Sequence, residues 1–516
     1  MTNGADILAA TLADHGVDTC FANPGTTEMH LLSALGRERR IDLHLCLFEG
    51  VATGAADGFA RMAGRPAAAL LHLGPGLANG MANLHNARKA ASPVINIIGE
   101  HATYHLEMDA PLTTDIAGMA RTVSDYVVST KSADTIASDV TVMMSAISGP
   151  KDRVATMIVP NDVAWSPAQE STKTRAPVPA PTMNDEALPN VITSLKAGDN
   201  AALIIGAPHI TSRMAELAQA IGTATGCRVF TEPTVSRMSR GKNTPPLKRQ
   251  PFHVDFATEA FKGLSKAVLV GARTPVAFFA YPNRPSLLLP EGTDVIELAP
   301  PLADVEAALQ AITDALGTEA TTQDPVDLTI SEFDDAAPIT SQTLGCAVAT
   351  ALPENAIVVD ETITNGLHMY AECAAAAPHD WLNNRGGSIG YSMPVAVGAA
   401  VACPDRPVLC VTGDGSAAYT LQALWSMARY DLNVTVVILA NRSYRILANE
   451  MSKIGAGSPT DSTLPLMSLD EPALDWVKLA EGHGVTAKQV TDAGTLSRTI
   501  AQAMATKGPT LIEARM

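Results

Sequence analysis

The sequence predicts an α/β protein built from three doubly wound, parallel-sheet domains. Strand, loop and helix alternate through most of the 516 residues, as they do in sheets wound on both faces. The strands read as unbroken apolar runs, such as VTVVILA at residues 434–440, and strands buried on both faces of a parallel sheet must read so. A Pro-rich stretch at 166–182 and a polar one from about 319 to 338 interrupt the alternation, and such stretches mark linkers. The expected domains are therefore residues 1–165, 183–320 and 338–516.

In the first segment, residues 5–15 read as an amphipathic helix, 18–22 as a strand, and Asn23-Pro24-Gly25-Thr26-Thr27-Glu28 as a turn before a second helix. The short strand LHLCLF is expected to end at Glu49, where the helix GVATGAADGFARMAG starts. AAALLHLG supplies the next strand, GPGLANG a loop, residues up to Ala90 a helix, and VINIIG a further strand. The middle segment carries strands in AALIIGAPH, CRVFTEP and KAVLVGA. It is poor in candidate acids and bases and reads as a scaffold. The third opens with AIVVDETITNG.

With 47% hydrophobic and 17% charged residues, the chain can bury several cores and is not of the disordered class. A net charge of −17 excludes a phosphate-backbone partner, which calls for a basic face. Seven scattered cysteines form no C-x-x-C pair and are expected to be reduced, buried thiols of a cytoplasmic protein. The first residues have no basic region of the secretory kind, and no apolar run reaches the ~18 residues of a membrane span. No membrane partner is expected.

Chemistry is concentrated around Gly413-Asp414-Gly415, which follows the apolar run PVLCVT and precedes a helix expected to begin near Ser416 to Tyr419. Taken alone, the triplet is an ordinary tight turn. Asn441 ends the next apolar run after 25 intervening residues, so Asp414 and Asn441 are expected side by side at the carboxyl edge of one sheet, where open α/β folds bind ligands. A carboxylate, an amide oxygen and nearby carbonyls are hard ligands suited to Mg²⁺, which keeps waters and phosphate oxygens around it. Glycines allow a diphosphate to approach the backbone, and helix N–H groups can meet it.

Gly-Asp-Gly followed about twenty-five residues later by Asn resembles the signature of the thiamine-diphosphate enzymes. The resemblance implies thiamine diphosphate and Mg²⁺ as cofactors, with Asp414, Asn441 and the Ser443 carbonyl on the metal. It names the three domains pyrimidine-binding, middle and diphosphate-binding. The position where many members carry a second Asn is Arg442 here. FEGVATGAADGFAR is similar to the pattern around the glutamate that hydrogen-bonds the cofactor's aminopyrimidine, which makes Glu49 the residue that drives removal of the thiazolium C2 proton. A carboxyl held in an apolar pocket keeps its proton at neutral pH, as that role needs. Ile389, in RGGSIGYSMP, matches the apolar wedge that bends the cofactor. The diphosphate is implied near Glu361, Thr362, Thr364 and Gly387, with Gly413, Gly415, Ser416 and Tyr444 close to it.

On the substrate side, Thr26 and His72 match a hydroxyl residue and a histidine of the benzoylformate decarboxylase active site, while Ala280 stands where that family has a second histidine. Residues 71–100 resemble acetolactate synthase, but 447–451 read LANEM where that family carries a Trp-containing run. Overall the chain is most similar to homologues of the acetolactate synthase large subunit. The resemblance implies a small 2-keto acid substrate, decarboxylated and then ligated to a second carbonyl. A decarboxylase that releases the aldehyde and an inactive cofactor-binding paralogue are the alternatives. It further implies a homodimer or homotetramer with sites at the subunit interface.

Overall fold

Residues 2–148, 153–169, 179, 181–319 and 328–516 are described by the structure, a computed structural model. Most of the 166–182 linker, and residues 320–327 of the polar stretch, lie outside them. In the first segment the strands are β1 (Thr19–Asn23), β2 (Asp42–Leu45), β3 (Ala67–Leu71), β4 (Val94–Glu100), β5 (Tyr126–Ser129) and β6 (Val154–Pro160). They form one parallel sheet in the order β2-β1-β3-β4-β6-β5. Every residue of β3, β4 and β6 is buried, which is why these runs show no polar alternation.

The middle segment holds β7 (Ala201–Ile205), β8 (His209–Ile210), β9 (Arg228–Thr231), β10 (Arg237–Arg240), β11 (Lys248–Arg249), β12 (Lys266–Val270) and β13 (Asp294–Ala299). Five of them make a second parallel sheet, β11-β9-β7-β12-β13. The third segment supplies β14 (Ala356–Glu361), β15 (His379–Asn383), β16 (Val408–Gly413), β17 (Val434–Ala440), β18 (Thr486–Val490) and β19 (Thr510–Arg515). Its sheet runs β18-β19-β17-β16-β14-β15 and then takes in β10 and β8 from the middle segment. β10 lies antiparallel to β15, so this sheet is mixed at that edge. Short strands rich in Arg and Ser carry no apolar signature, and the sequence pattern therefore leaves them unseen.

Three local expectations are corrected. GPGLANG is helical, within Leu73–Ala90, because Pro75 falls in the first turn, where its missing N–H costs nothing. β2 stops at Leu45, and Glu49 is the first residue of the helix Glu49–Ala63 instead of a strand end. The helix after Gly413 is split into Asp414–Ala417 and Ala423–Arg429.

Contact between the first and third segments is made by two helices rich in small residues, Glu49–Ala63 and Ser392–Ala402, which share one apolar core. A Cβ on Gly58 would lie 2.1 Å from the Val395 carbonyl oxygen, and one on Gly398 1.8 Å from that of Ala55. The glycines of GVATGAADGFAR thus set a close helix crossing. Beneath it, Arg61 and Asp57 form an ion pair at 2.7 Å, their side chains 2% and 1% exposed. Arg61 also donates to the carbonyls of Asn383 at 2.6 Å and Ser236 at 3.3 Å, so one guanidinium touches all three segments.

A second junction joins β10 to β15. Asp380 receives Arg237 at 3.0 Å and Arg406 at 2.8 Å. Burial pushes its carboxyl up, but Arg237 and Arg406 outweigh that and hold it below the usual range. Such a carboxylate stabilises the fold above its unfolded pKa, and the contribution is lost as pH falls through the lower folded value. Asp380→Asn is therefore expected to be the less stable protein at neutral pH, with the difference shrinking below about pH 4 in urea titrations followed by circular dichroism. A constant difference down to strong acid would contradict it. Among the described residues all seven cysteines are free and six are buried, and no helix is long and apolar enough to cross a membrane.

Candidate functional site

β16 and β17 pair in parallel with Gly413 opposite Leu439, which brings the residues beyond both strands together. Asp414 is buried, and its two carboxylate oxygens accept the Gly415 N–H at 2.9 Å and the Arg442 N–H at 2.7 Å. Arg442 reaches that position with φ of +53°, an uncommon conformation for a side-chain-bearing residue. The Asn441 Oδ1 accepts the Ser443 N–H at 3.0 Å, and the Ser443 hydroxyl donates to the Met467 carbonyl at 3.1 Å. The expected neighbours Asp414, Asn441 and Ser443 are thus gathered at one sheet edge.

This oxygen set fits a divalent cation. Burial raises the Asp414 carboxyl, opposed by the hydrogen bonds from Arg442 and Gly415, so a positive charge beside it would offset the cost of the buried anion. Each carboxylate oxygen and the Asn441 Oδ1 keeps a free lone pair beyond its one backbone hydrogen bond. One carboxylate plus neutral oxygens is a donor set for Mg²⁺ that leaves room for phosphate.

The two glycines of the turn are not equivalent. A Cβ on Gly415 would strike the Tyr444 ring at 2.4 Å, whereas one on Gly413 would meet nothing within 4 Å. Gly413 sits at φ −71°, which alanine accepts, so nothing in the fold requires its small size. Gly413→Ala is expected to leave the melting temperature unchanged and to weaken diphosphate-cofactor binding by about 1–3 kcal/mol, the usual cost of overpacking. Calorimetric titration with cofactor and Mg²⁺ would show it; equal affinity would place the ligand elsewhere.

The loops after β14 and β15 complete this half. Glu361, at the end of β14, is fully buried and accepts the N–H groups of Gly390 at 3.0 Å and Ser392 at 3.1 Å and the Ser392 hydroxyl at 2.7 Å. It organises the RGGSIGYSMP loop from inside, and its carboxyl is raised by burial against those hydrogen bonds. A strand-end acid within an apolar run was the available signal. Thr362 is buried, donating its hydroxyl to Asp360 at 2.7 Å, while Thr364 is half-buried and Gly387 exposed. Ile389 is half-buried between Ser388 and Gly390. Ser416 is buried in a helix only four residues long, so no long helix dipole points at the site.

The first-segment half lies at the carboxyl edge of its own sheet. Glu49 is half-buried, with its Oε2 accepting from Asn79 Nδ2 at 3.0 Å. The apolar pocket expected around it is not closed by this chain. His72, just past β3, holds Glu28 Oε2 at 2.7 Å through Nδ1, which leaves Nε2 for a ligand. Glu28 is fully buried and also accepts the Gly25 N–H at 2.8 Å and the Thr27 hydroxyl at 2.7 Å. Thr26 is exposed, and it is Thr27 whose hydroxyl lies 3.3 Å from the His72 ring. Glu28 is a functional residue absent from the sequence-based expectations, and its only local signal is a capping pattern, an acid three residues after Gly25 at the head of a helix. Among the described residues no hydrogen bond or ion pair joins Glu49, His72 or Glu28 to Asp414, Asn441 or Glu361.

Comparison with known proteins bears on both halves. Residues 2–119 match the family model "Thiamine pyrophosphate enzyme, N-terminal TPP binding domain", and residues 365–514 match its C-terminal TPP binding domain. The "Putative acetolactate synthase large subunit IlvX" of Mycobacterium tuberculosis is 45% identical over 99% of this chain and 98% of its own length. Benzoylformate decarboxylase of Pseudomonas aeruginosa is 26% identical, covering 97% of this chain and 96% of its own. The structure of Rhodococcus jostii thiamine diphosphate-dependent 4-hydroxybenzoylformate decarboxylase superposes with a TM-score of 0.84 at 23% identity, over 100% of this chain and 99% of that one, which shows the shared fold. The chain therefore belongs to the thiamine-pyrophosphate-dependent enzymes, in the family of acetolactate synthase and benzoylformate decarboxylase.

Proposed function

We propose that this enzyme uses thiamine diphosphate and Mg²⁺ to decarboxylate a 2-keto acid and then ligates the retained fragment to a second carbonyl compound. The observation that carries the reading is the Asp414, Asn441 and Ser443 oxygen set beside the open face of Gly413. When bound, the cofactor supplies a carbon nucleophile and an electron sink. Asp414, Asn441 and the Ser443 carbonyl hold the cation, with Gly413, Gly415, Ser416 and Tyr444 around the diphosphate. Ile389 props the cofactor, and Thr362, Thr364 and Gly387 border it.

Glu49 holds the proton shared with the pyrimidine ring, and His72 Nε2 and the Thr26 hydroxyl face the substrate. Glu28 is a positioning residue that orients the His72 ring through Nδ1. Ligation is favoured over release because Phe278, Phe279 and Ala280 of the middle segment carry no proton donor. The second reading, a decarboxylase that releases the aldehyde, draws support from the His72–Glu28 pair, which can keep a proton at the first-segment edge.

The half-exposed Glu49 and the lack of a described link to Asp414 support a site shared between two copies, in a homodimer or homotetramer. Incubation with cofactor, Mg²⁺ and pyruvate or benzoylformate tests the reaction. A 2-hydroxy ketone product supports ligation, free aldehyde supports release, and consumption of neither acid by the loaded protein defeats both. A fully active monomer in sedimentation would defeat the shared site.

A further inference from the structure

Three asparagines share one face of the helix Leu73–Ala90. Asn79, Asn83 and Asn86 stand at i, i+4 and i+7, the spacing that stacks side chains along a helix. Asn79 donates to Glu49 Oε2 at 3.0 Å. One turn on, Asn83 Nδ2 donates to the Gly50 carbonyl at 2.8 Å, in the first turn of the helix that Glu49 begins. Asn83 Oδ1 accepts from Asn86 Nδ2 at 3.1 Å.

Asn86 carries the series into the third segment. Its Nδ2 also donates to the Ser388 carbonyl at 2.9 Å, and its Oδ1 accepts the Ser388 N–H at 3.1 Å. One side-chain amide thus pairs with both polar groups of a single residue, as a neighbouring strand does. A Cβ on Gly386 would lie 2.4 Å from Asn86 Oδ1 and 2.8 Å from Asn86 Cα, so the loop must be bare there to reach the helix. Two residues past Ser388, the Gly390 carbonyl accepts from the Thr420 hydroxyl at 2.9 Å, and a Cβ on Gly390 would lie 3.5 Å from the Ser416 carbonyl oxygen. Ser416 belongs to the short helix that Asp414 opens. No bond joins Glu49 to Asp414 directly, but an unbroken series of contacts leads from the Glu49 helix through Asn83, Asn86 and the 386–390 loop to the Asp414 turn.

Asn83 and Asn86 are 3% and 0% exposed. Amides buried so deeply cost free energy unless they are paired, and apolar side chains would pack the same helix face without that demand. Each side-chain nitrogen and oxygen of the two has a partner, on Gly50, on Ser388 or on the other asparagine.

We propose that Asn83 and Asn86 are positioning residues that set the 386–390 loop of the third segment against the start of the Glu49 helix, and so fix the two half-sites of one chain relative to each other. The proposal rests on the cofactor reading given above, in which Gly387 and Ile389 border the cofactor and Glu49 serves its ring.

The test compares the parent with Asn83→Ala, Asn86→Ala and Gly386→Ala. Its readouts are cofactor affinity by calorimetry with Mg²⁺, thiazolium C2 exchange by NMR at saturating cofactor, and the urea midpoint. Asn86→Ala frees the loop, and Gly386→Ala pushes it off the helix with Asn86 intact, so either one decides the matter where the other fails to fold. Both are expected to weaken cofactor binding about tenfold or more, the usual worth of a residue that orients a ligand-bearing group. Asn83→Ala is expected to keep affinity within about threefold and to slow exchange about tenfold, because it releases Gly50, next to Glu49, and leaves Asn86 on Ser388. Parental affinity in the loop variants, or parental exchange in Asn83→Ala, overturns the proposal even if the urea midpoint falls, since the amides would then serve packing alone. If the parent binds no cofactor, the cofactor reading has failed, and amide hydrogen exchange of the free protein decides the bridge by itself. Faster exchange at 386–390 in Asn83→Ala upholds it, because that variant reaches the loop only through Asn86, and exchange altered only near Gly50 overturns it.

Discussion

Glu49→Gln is expected to lower turnover by roughly 10²–10⁴-fold, the usual worth of a positioned proton-transfer group, while cofactor affinity stays within a few-fold. The amide keeps the size of the side chain and an oxygen that can still accept from Asn79, which lies 3.0 Å from Glu49 Oε2. It cannot hold the carboxyl proton that the role proposed for Glu49 has it share with the pyrimidine ring. Cofactor binding is expected to be retained because the proposed metal contacts (Asp414, Asn441, Ser443) and diphosphate contacts (Gly413, Gly415, Ser416, Tyr444) lie on another segment. Hydrogen exchange at the thiazolium C2, followed by NMR on the loaded protein, separates this step from later ones. Exchange at the parental rate would remove Glu49 from the role.

Arg61→Ala is expected to cost about 3–5 kcal/mol, because it strands the Asp57 carboxylate in the interior without its partner. The pair is essentially fully buried, and solvent cannot make good the loss. Ser92 donates to Asp57 at 2.5 Å, but a neutral hydroxyl replaces little of a guanidinium's charge. The variant also leaves the carbonyls of Ser236 and Asn383 without their Arg61 donor, which loosens the junction of all three segments. The urea midpoint reports the effect, and the double variant Asp57→Leu/Arg61→Met, which removes both charges and keeps apolar volume, is expected to recover much of it. Equal stability of Arg61→Ala and the parent would show that the charge is not sealed.

Much of the third-segment half of the site is legible in the sequence. Two apolar runs, each ending in a polar turn, place Asp414 beside Asn441 because parallel neighbours align their strand ends, and β16 and β17 do so. Glu28 and Glu361 were harder to read. Glu28 is buried against the Gly25 N–H, the Thr27 hydroxyl and the His72 ring, and Glu361 against the N–H groups of Gly390 and Ser392, and the local patterns that mark them, a cap and a strand-end acid, do not tell a buried acid from an exposed one. The run after Glu49 reads as a Gly- and Ala-rich helix, but nothing in it announces that Gly58 serves a close helix crossing with Val395.

The fold class and the meeting of Asp414 with Asn441 at the β16–β17 edge follow from short-range periodicity and from spacing along adjacent strands, and the cofactor follows from the resemblance of residues 413–441 to a known signature. Long-range packing alone places β8 and β10 of the middle segment in the third sheet, sets His72 on Glu28 and brings Phe278 over Gly387. Those contacts join residues from 44 to more than 100 positions apart, and those of Phe278 and β10 cross between segments whose mutual placement is set by the packing of small-residue helices and one buried ion pair. No local pattern encodes such a meeting, since a residue's own neighbours in sequence are indifferent to which distant surface it will touch.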